Sequence, residues 1–151
     1  MDDKITVRKA KVDDTEAMVG LLSELFTIED DFSIDPQKQL HALHVLLQDA
    51  DATLLVAEIS GCVIGMVSMQ SLISTVTGGK VGLIEDMIIS EDFRHKGVGT
   101  LLLSAMIDVS QQLGFQRLSL GADRRNDSAL AFYRTFGFET SNMGLMYRTI
   151  E

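Results

Sequence analysis

The stretch EDMIISEDFRHKGVGT, residues 85–100, decides the fold, because a glycine-containing loop here joins a predicted strand to a predicted helix. The strand covers residues 81–89, and the helix runs from about Gly97 to Leu113, before Gly114. A helix N-terminus exposes about four unpaired backbone N–H groups and a partial positive charge. Glycines there let a ligand approach the backbone closely. The pattern predicts a pyrophosphate-binding loop made of Arg94, His95, Lys96, Gly97, Val98, Gly99 and Thr100.

Two other phosphate-binding patterns do not fit this loop. A Walker A loop needs four residues between its glycines, followed by Lys and then Ser or Thr, and that sequence is absent. A dinucleotide-binding turn needs Gly-x-Gly-x-x-Gly early in a βαβ unit, whereas this loop has two glycines and lies late in the chain. A second basic pair, Arg124 and Arg125, is either a further contact for an anionic ligand or solvated surface.

The rest of the chain predicts the element order β-α-α-β-β-β-α-β-α-β-β. Asp13 is predicted to cap the first helix, and Asp35-Pro36 to begin the second. Strands are predicted at 5–8, 53–59, 62–70 and 117–121, a hairpin turn at Ser60-Gly61, a helix at 127–136, and one or two final strands within 138–149. We therefore expect an α/β (α+β) fold with a mixed central sheet of six to seven strands and about four flanking helices, in a single domain over residues 1–151.

The composition narrows the class of protein. The 151 residues are 46% hydrophobic and 23% charged, as in ordinary soluble domains, and the formal net charge of −9 disfavours nucleic acid and suits a cationic substrate. No segment approaches the roughly 20 apolar residues of a membrane span, so we expect no membrane partner and a cytoplasmic location. Cys62 is the single cysteine, and we expect it to be a buried small hydrophobe rather than a nucleophile. His41 and His44 lack a third ligand, so we expect no metal.

Two motifs together carry a family resemblance. The first is Arg-x-x-Gly-x-Gly at 94–99, and the second is NDSALAFYRTFGF at 126–138, which fits N-x-x-A-x-x-F-Y-x-x-x-G-F. In this order and in these structural settings, the chain resembles the GNAT superfamily of acetyl-CoA-dependent N-acetyltransferases over nearly its whole length. In the Glu-Asp pair before the loop, the chain resembles family members that act on polyamines and other small amines.

The resemblance implies how the acetyl-CoA cosubstrate binds. In that family the strand before the loop is splayed from the next strand, and its free backbone groups hold the pantetheine arm. By position Met87, Ile88 and Ile89 would hold the arm, while the loop would hold the diphosphate. Asn126 is a helix N-cap by its own pattern, and the resemblance adds a contact with CoA.

The resemblance also implies two catalytic groups. Tyr133 would protonate the departing thiolate, and Glu85 would accept the proton of the attacking amine. An amine with a pKa near 10 is charged at pH 7, and releasing its proton costs about 4 kcal/mol. Glu85 and Asp86 are neighbours on a strand and point to opposite faces unless a bulge intervenes. Asp86 and water remain alternative bases.

We expect an N-acetyltransferase that acts on a primary amine, most simply that of a small cationic molecule. A protein or peptide amine and a homodimer are also open. Two alternatives are a catalytically silent CoA-binding sensor or interaction module of the same fold, disfavoured by the presence of Glu85 and Tyr133, and a nucleotide-binding regulator. The acidic segment between the first two helices either selects a cationic acceptor or is a solvated loop; its residues are Glu29, Asp30 and Asp31.

Overall fold

The computed structural model describes residues 4–29 and 33–150. Its elements in chain order are β1 (Thr6–Lys9), a 3-10 turn (Val12–Asp14), α1 (Thr15–Ile28), α2 (Pro36–Gln48), β2 (Ala52–Ile59), β3 (Cys62–Ser74), β4 (Gly79–Ile89), a second 3-10 turn (Glu91–Phe93), α3 (Val98–Gln112), β5 (Leu118–Leu120) and α4 (Asp127–Thr135). The predicted order is confirmed from β1 to α4.

Five strands of the described residues form one sheet in the order β1-β2-β3-β4-β5. The first four are antiparallel to their neighbours, and β5 runs parallel to β4 because α3 forms the crossover between them. The predicted hairpin turn is confirmed at Ser60 (φ 49°) and Gly61 (φ 78°), since a tight two-residue turn needs two left-handed residues. The mixed sheet with flanking helices confirms the predicted fold class.

Helices cover both faces of the sheet. Successive residues of a strand point to opposite faces, and on β3 Met66 belongs to the same core cluster as Met18 of α1, while Val67 belongs to the same core cluster as Leu102 of α3. One core cluster therefore lies between the sheet and α3, and the other lies between the sheet and the pair α1 and α2. This arrangement fixes which side of the sheet each residue of β4 faces.

The expectation of six to seven strands is wrong for the described structure, because residues 138–150 contain no strand. The apolar residues that suggested strands there are present, but a strand also needs a neighbouring backbone to pair with. In this tail the side chains of Met143, Leu145 and Met146 are exposed to solvent instead. Within the described residues the sheet ends at β5.

Two local expectations are also wrong, and one is confirmed. Helix α1 begins after Asp14 rather than Asp13, because a 3-10 turn precedes it, and the Asp14 carboxylate closes that turn by accepting the backbone N–H of Lys11 at 2.7 Å. Cys62 is exposed, because it lies at the rung next to the β2–β3 turn. Asp35 caps α2 as predicted and accepts a hydrogen bond from the backbone N–H of Lys38.

None of the described helices combines the length and the apolar character that a bilayer crossing requires.

Candidate active site

Strand β4 carries a bulge at Glu85 and Asp86. The pairing with β3 shifts at this point, so that the single residue Ser68 lies opposite both of them. The Ser68 hydroxyl accepts the backbone N–H of Asp86 at 3.1 Å and lies 3.4 Å from its carboxylate, to which it donates. A two-against-one arrangement changes the direction in which the following side chains point.

The bulge turns both carboxylates toward one face of the sheet. Ile84 and Met87, on either side of the pair, both pack in the cluster beneath α3. In a regular strand residues three apart would face opposite sides, so Glu85 and Asp86 together must point away from α3, toward the face that α1 and α2 cover. The structure therefore replaces the expectation of opposite faces with the bulged alternative.

The carboxylates of Glu85 and Asp86 form a negatively charged site that has no ion-pair partner among the described residues. Glu85 is exposed and Asp86 is half-buried. Burial, and then the negative charge of Glu85, raise the pKa of Asp86 above its ordinary value, while the Ser68 hydrogen bond opposes the shift. Among the described residues, no Lys or Arg forms an ion pair with either carboxylate.

Strand β4 extends beyond the end of its parallel neighbour β5. The last pair with β5 joins Ile84 to Leu120, whereas β4 continues to Ile89. Beyond Ile84 the edge of β4 on the β5 side has no strand partner in the described part of the chain. The side chains here belong to the core: Ile88 packs toward α1, and Met87 and Ile89 pack toward α3. The backbone of this edge is what remains for a ligand.

The loop between β4 and α3 contains two left-handed residues, His95 (φ 63°) and Gly97 (φ 82°). Gly97 is the N-cap of α3, and no side chain caps this helix. The N–H groups of the first turn, from Val98 to Thr100, therefore remain available to another partner. A side chain at Gly97 would meet only open space, and His95, Lys96 and Thr100 are exposed.

The Arg94 side chain is engaged within the protein. Its Nε donates to the carbonyl of Ile89 at 2.9 Å, and its Nη2 lies 3.9 Å from Oε1 of Glu24 on α1. The same Glu24 oxygen accepts the backbone N–H of Glu91 at 3.2 Å. These contacts hold the loop against the end of β4 and against α1. The sequence assigned Arg94 to phosphate binding and did not reveal these partners.

The two sequence motifs meet at Gly99. A Cβ built there would lie 3.3 Å from Phe132 on α4 and 3.5 Å from Met87 on β4. Gly99 thus permits the close packing of α3, β4 and α4 in addition to exposing the helix N-terminus. Phe132 in turn packs edge-on against Tyr133, with 5.4 Å between the ring centroids.

Tyr133 is half-buried on α4, and it also packs edge-on against Phe138. Burial, and then the negative charge of Glu29 at the end of α1, raise the pKa of Tyr133 above its ordinary value. The phenol is therefore protonated at neutral pH and can act as an acid.

The sequence model of the acetyltransferase (GNAT) family matches residues 16–138, which include both motifs and most of the described structure. This chain belongs to the GNAT family. The resemblance found from the two motifs is thereby confirmed, and the protein is an N-acetyltransferase.

This GNAT protein has similar relatives and similar solved structures. It is 28% identical over 135 residues to the uncharacterized N-acetyltransferase YhfO of Bacillus subtilis (strain 168), covering 89% of this chain and 90% of that protein. A crystal structure of a transcriptional regulator from Bacillus halodurans C-125 matches with a TM-score of 0.87 and 25% identity, covering 97% of this chain and 100% of the other. An aminoglycoside N-acetyltransferase in complex with CoA matches with a TM-score of 0.85 and 19% identity, over 99% and 97% of the two chains.

Other predicted residues of the GNAT site take local roles or fall outside the description. Asn126 caps α4, since its Oδ1 accepts the backbone N–H of Ala129 at 3.0 Å. Arg125 is paired with Asp123 at 2.8 Å, and this partner lowers the pKa of Asp123 to about 2. Asp30 and Asp31 lie outside the described residues. No group of three His, Cys, Asp or Glu side chains in the described ranges has the arrangement of metal ligands.

Sequence reasoning missed Ser68 and Glu24. Ser68 is a fully buried hydroxyl in an apolar strand, and a polar residue in such a run is a signal that some buried group needs a hydrogen bond. Glu24 is the one carboxylate in the second half of α1. Its partners, Arg94 and the backbone of Glu91, lie far away in sequence, so no local pattern indicates them.

Proposed function

We propose that this protein transfers the acetyl group of acetyl-CoA to a primary amine of a small cationic acceptor, by direct attack of the amine on the thioester. The main support for this proposal is the bulge of β4, which sets Glu85 and Asp86 on one face beside the strand edge that β5 leaves open. A proton acceptor and a negative field thus adjoin a backbone edge that suits an extended ligand.

The residues around the open edge fit acetyl-CoA. The pantetheine arm would bind along the backbone from Met87 to Ile89, and the diphosphate would bind the N–H groups from Val98 to Thr100. His95 and Lys96 are exposed beside this turn and would add hydrogen bonds and charge. Arg94 would keep the loop in place through Ile89 and Glu24.

Asn126 has one group left for a ligand. Its side-chain oxygen already caps α4, so a contact with CoA would use the amide NH₂ group. This division lets one residue hold the helix and bind the ligand at the same time. In bound acetyl-CoA the thioester supplies the acetyl group and a thiolate leaving group.

The bulged carboxylates fit a cationic acceptor. The amine must lose a proton before it attacks, and at pH 7 this costs about 4 kcal/mol for a pKa near 10. The exposed Glu85 would accept that proton directly or through water. Asp86 would strengthen the negative field, and Glu29 would add a third carboxylate near Tyr133.

Tyr133 would protonate the leaving thiolate. The raised pKa keeps its phenol protonated across the neutral range, and a thiolate with a thiol pKa near 8.5 gains from a nearby proton donor. We expect Tyr133→Phe to lower kcat about 100-fold, the lower end of general-acid effects, with an unchanged dissociation constant for CoA. Steady-state kinetics and calorimetric CoA titration measure the two quantities. A fully active variant would remove Tyr133 from the chemistry.

The anion site is tested by Gly97→Glu with Gly78→Glu as its matched control. Both glycines are left-handed (φ 82° and 80°), and a Cβ at either meets only open space, so the backbone strain of the two substitutions is comparable. We expect Gly97→Glu to weaken CoA binding about 100-fold or more, because it places a negative charge beside the helix N-terminus. Gly78→Glu, in the β3–β4 turn, should leave CoA affinity unchanged.

Equal CoA affinity in these two variants would contradict the proposed donor site. Turnover is tested by following thiol release with polyamines, aminoglycosides, amino acids and peptides as acceptors. Direct attack predicts intersecting initial-velocity lines and full activity in Cys62→Ser. CoA binding without turnover of any amine would instead support a silent binding module.

A further inference from the structure

Ser68 is a polar residue at a fully buried position of β3. Its neighbours Val67 and Met69 both belong to the core cluster on the α3 side of the sheet. Because side chains alternate along a strand, the Ser68 hydroxyl points to the opposite face, which α1 and α2 cover. This is the face to which the bulge of β4 turns Glu85 and Asp86. A buried hydroxyl costs stability unless it is hydrogen-bonded, so its partners indicate its role.

Both hydrogen bonds of the Ser68 hydroxyl go to Asp86. The oxygen accepts the backbone N–H of Asp86 at 3.1 Å, and the hydroxyl donates to the carboxylate at 3.4 Å. The two bonds and the atoms of Asp86 between them form a closed ring, which restricts the side-chain torsions of Asp86. They also satisfy a backbone N–H at the point where the bulge interrupts the pairing of β3 with β4. One side chain therefore holds both the backbone and the direction of the carboxylate.

The neighbouring Glu85 differs from Asp86 in this respect. Its side chain is exposed, and in the described part of the chain no hydroxyl holds its carboxylate as Ser68 holds that of Asp86. Glu85 can therefore change its rotamer, whereas Asp86 cannot without breaking a hydrogen bond. The bulge places one fixed and one adjustable carboxylate side by side on the same face.

We propose that Ser68 is a positioning residue of the acetyl transfer, an inference that rests on the proposed function. Its hydroxyl fixes the Asp86 carboxylate as the group that binds the ammonium of the acceptor, and this leaves Glu85 to accept the proton. A binding group gains from a fixed direction, because the amine must be held in line with the thioester. A proton acceptor must follow the proton, directly or through water. Ser68 acts through Asp86 and does not itself touch the substrate.

Few charged groups surround Asp86. Strand β3 on one side of β4 and strand β5 on the other contain no charged residue. The acidic residues in the second half of α1 and at its end have other partners, since Glu24 pairs with Arg94 and Glu29 acts on the pKa of Tyr133. Helix α2 packs mainly on α1 and β2. The ionisation of Asp86 is therefore governed within the bulge itself.

The Ser68 hydrogen bond has a defined effect on this ionisation. Burial, and then the charge of Glu85, raise the pKa of Asp86, whereas the hydrogen bond from Ser68 lowers it. Removing the hydroxyl should therefore move the pKa of Asp86 further upward, because the charged form loses a donor. The acid limb of the kcat/KM profile should move to higher pH with it, since a protonated Asp86 no longer binds a cation.

The first experiment compares Ser68→Ala with Ser110→Ala. Both serines are fully buried, at 1% and 3% exposure, but the Ser110 hydroxyl donates to the carbonyl of Met106 within α3. We expect Ser68→Ala to raise KM for the amine about tenfold, which corresponds to about 1.4 kcal/mol for a hydrogen bond to a charged group. Because binding rather than chemistry is changed, kcat should stay within about threefold. KM for acetyl-CoA in Ser68→Ala, and all constants of Ser110→Ala, should stay within about twofold.

Two further variants show whether the hydroxyl acts through Asp86. Ser68→Thr keeps the hydroxyl, so the acid limb should return toward its parent position even where the added methyl group lowers stability. In an Asp86→Asn background, Ser68→Ala should change the amine KM less than about twofold, because the effects of residues in contact are not additive. A tenfold change in that background would show that Ser68 acts through another group and would overturn the proposal.

A direct titration separates this inference from the proposed function. The ¹³Cγ resonance of Asp86 is followed against pH in the full chain without substrate, so the result does not depend on turnover. The expected result is a higher pKa of Asp86 in Ser68→Ala and the parent pKa in Ser110→Ala. An unchanged pKa in a folded Ser68→Ala protein would overturn the role of Ser68. A raised pKa in a protein that acetylates no amine would confirm the contact and contradict the proposed function.

Discussion

Asp14 and Asp86 are two aspartates of one small protein with opposite electrostatic surroundings. Asp14 accepts two hydrogen bonds from the Arg8 guanidinium, at 2.7 and 2.9 Å, and this partner holds its pKa below the ordinary value. Burial and the neighbouring Glu85 hold the pKa of Asp86 above the ordinary value. Arg8 on β1 supplies the counter-charge for Asp14, whereas none of the described Lys and Arg side chains forms an ion pair with Asp86 at the β4 bulge. The contrast separates a carboxylate that is paired within the fold from one that we propose to act on a ligand.

Among the variants that test this contrast, the largest effect is expected for Glu85→Gln. As the proposed proton acceptor, Glu85 should contribute about 100-fold to kcat/KM at pH 7. Its matched control is Glu58→Gln, because Glu58 is paired with Arg8 at 3.0 Å in the structural cluster. We expect kcat/KM of the control to stay within twofold. The measurement is thiol release against pH with the best amine.

The shape of the pH–rate profile gives the sharper result. With Glu85 as base, the glutamine variant should follow the free-base fraction of the amine and rise steeply at alkaline pH. An unaltered profile would exclude Glu85 and leave Asp86, water or the free amine itself as the acceptor of the proton.

Local sequence was enough to predict the parts of the site whose geometry is local. The cap at Asn126, the glycine at the start of α3 and the turn at Ser60-Gly61 depend on residues a few positions apart. The assignment of Gly97 and Tyr133 to the candidate site came from motifs of the same short range, and the family match confirms only the family to which those motifs belong.

The parts that sequence did not predict depend on distant partners. The bulge at Asp86 needs Ser68 on another strand, 18 residues away. The contacts of Arg94 need Glu24 on α1. The final strands expected within 138–149 would need a neighbouring backbone to pair with, and the apolar pattern of these residues does not indicate which segment provides it. Hydrophobic periodicity predicts that one face of a segment is buried, but it does not indicate which other segment covers that face.

The second largest effect is a loss of stability in Asp14→Asn. The substitution removes the charge that Arg8 binds, and a hydrogen bond to a charged group contributes about 1.5–3 kcal/mol. Because Arg8 is itself 25% exposed, we expect the free energy of unfolding at pH 7 to fall by about 2 kcal/mol. Urea denaturation measures it, and a change below about 0.5 kcal/mol, typical of a surface site, would contradict the structural role of the cluster.

The pH dependence of this loss has a definite sign. The pKa of folded Asp14 lies below the ordinary value of 3.8, so its contribution to stability is present above pH 3.8 and is lost as the pH falls through the folded pKa. The difference between parent and variant should therefore be constant from pH 7 to about 5 and shrink in more acidic solution. A difference that grew on acidification would contradict the assignment.

The smallest effect is expected for Asp86→Asn, and it has the opposite sign. A carboxyl whose folded pKa lies above the ordinary value of 3.8 costs stability once the pH exceeds that value, because the unfolded chain releases the proton more easily. Removing the charge should raise the free energy of unfolding at pH 7 by about 1 kcal/mol, within the usual range for relieving strain at a functional site. The gain should fade as the pH approaches 3.8, where Asp14 still stabilises the fold. If Asp86→Asn destabilised the protein as Asp14→Asn does, the β4 carboxylate would be structural, and the contrast between the two aspartates would not reflect a division between fold and function.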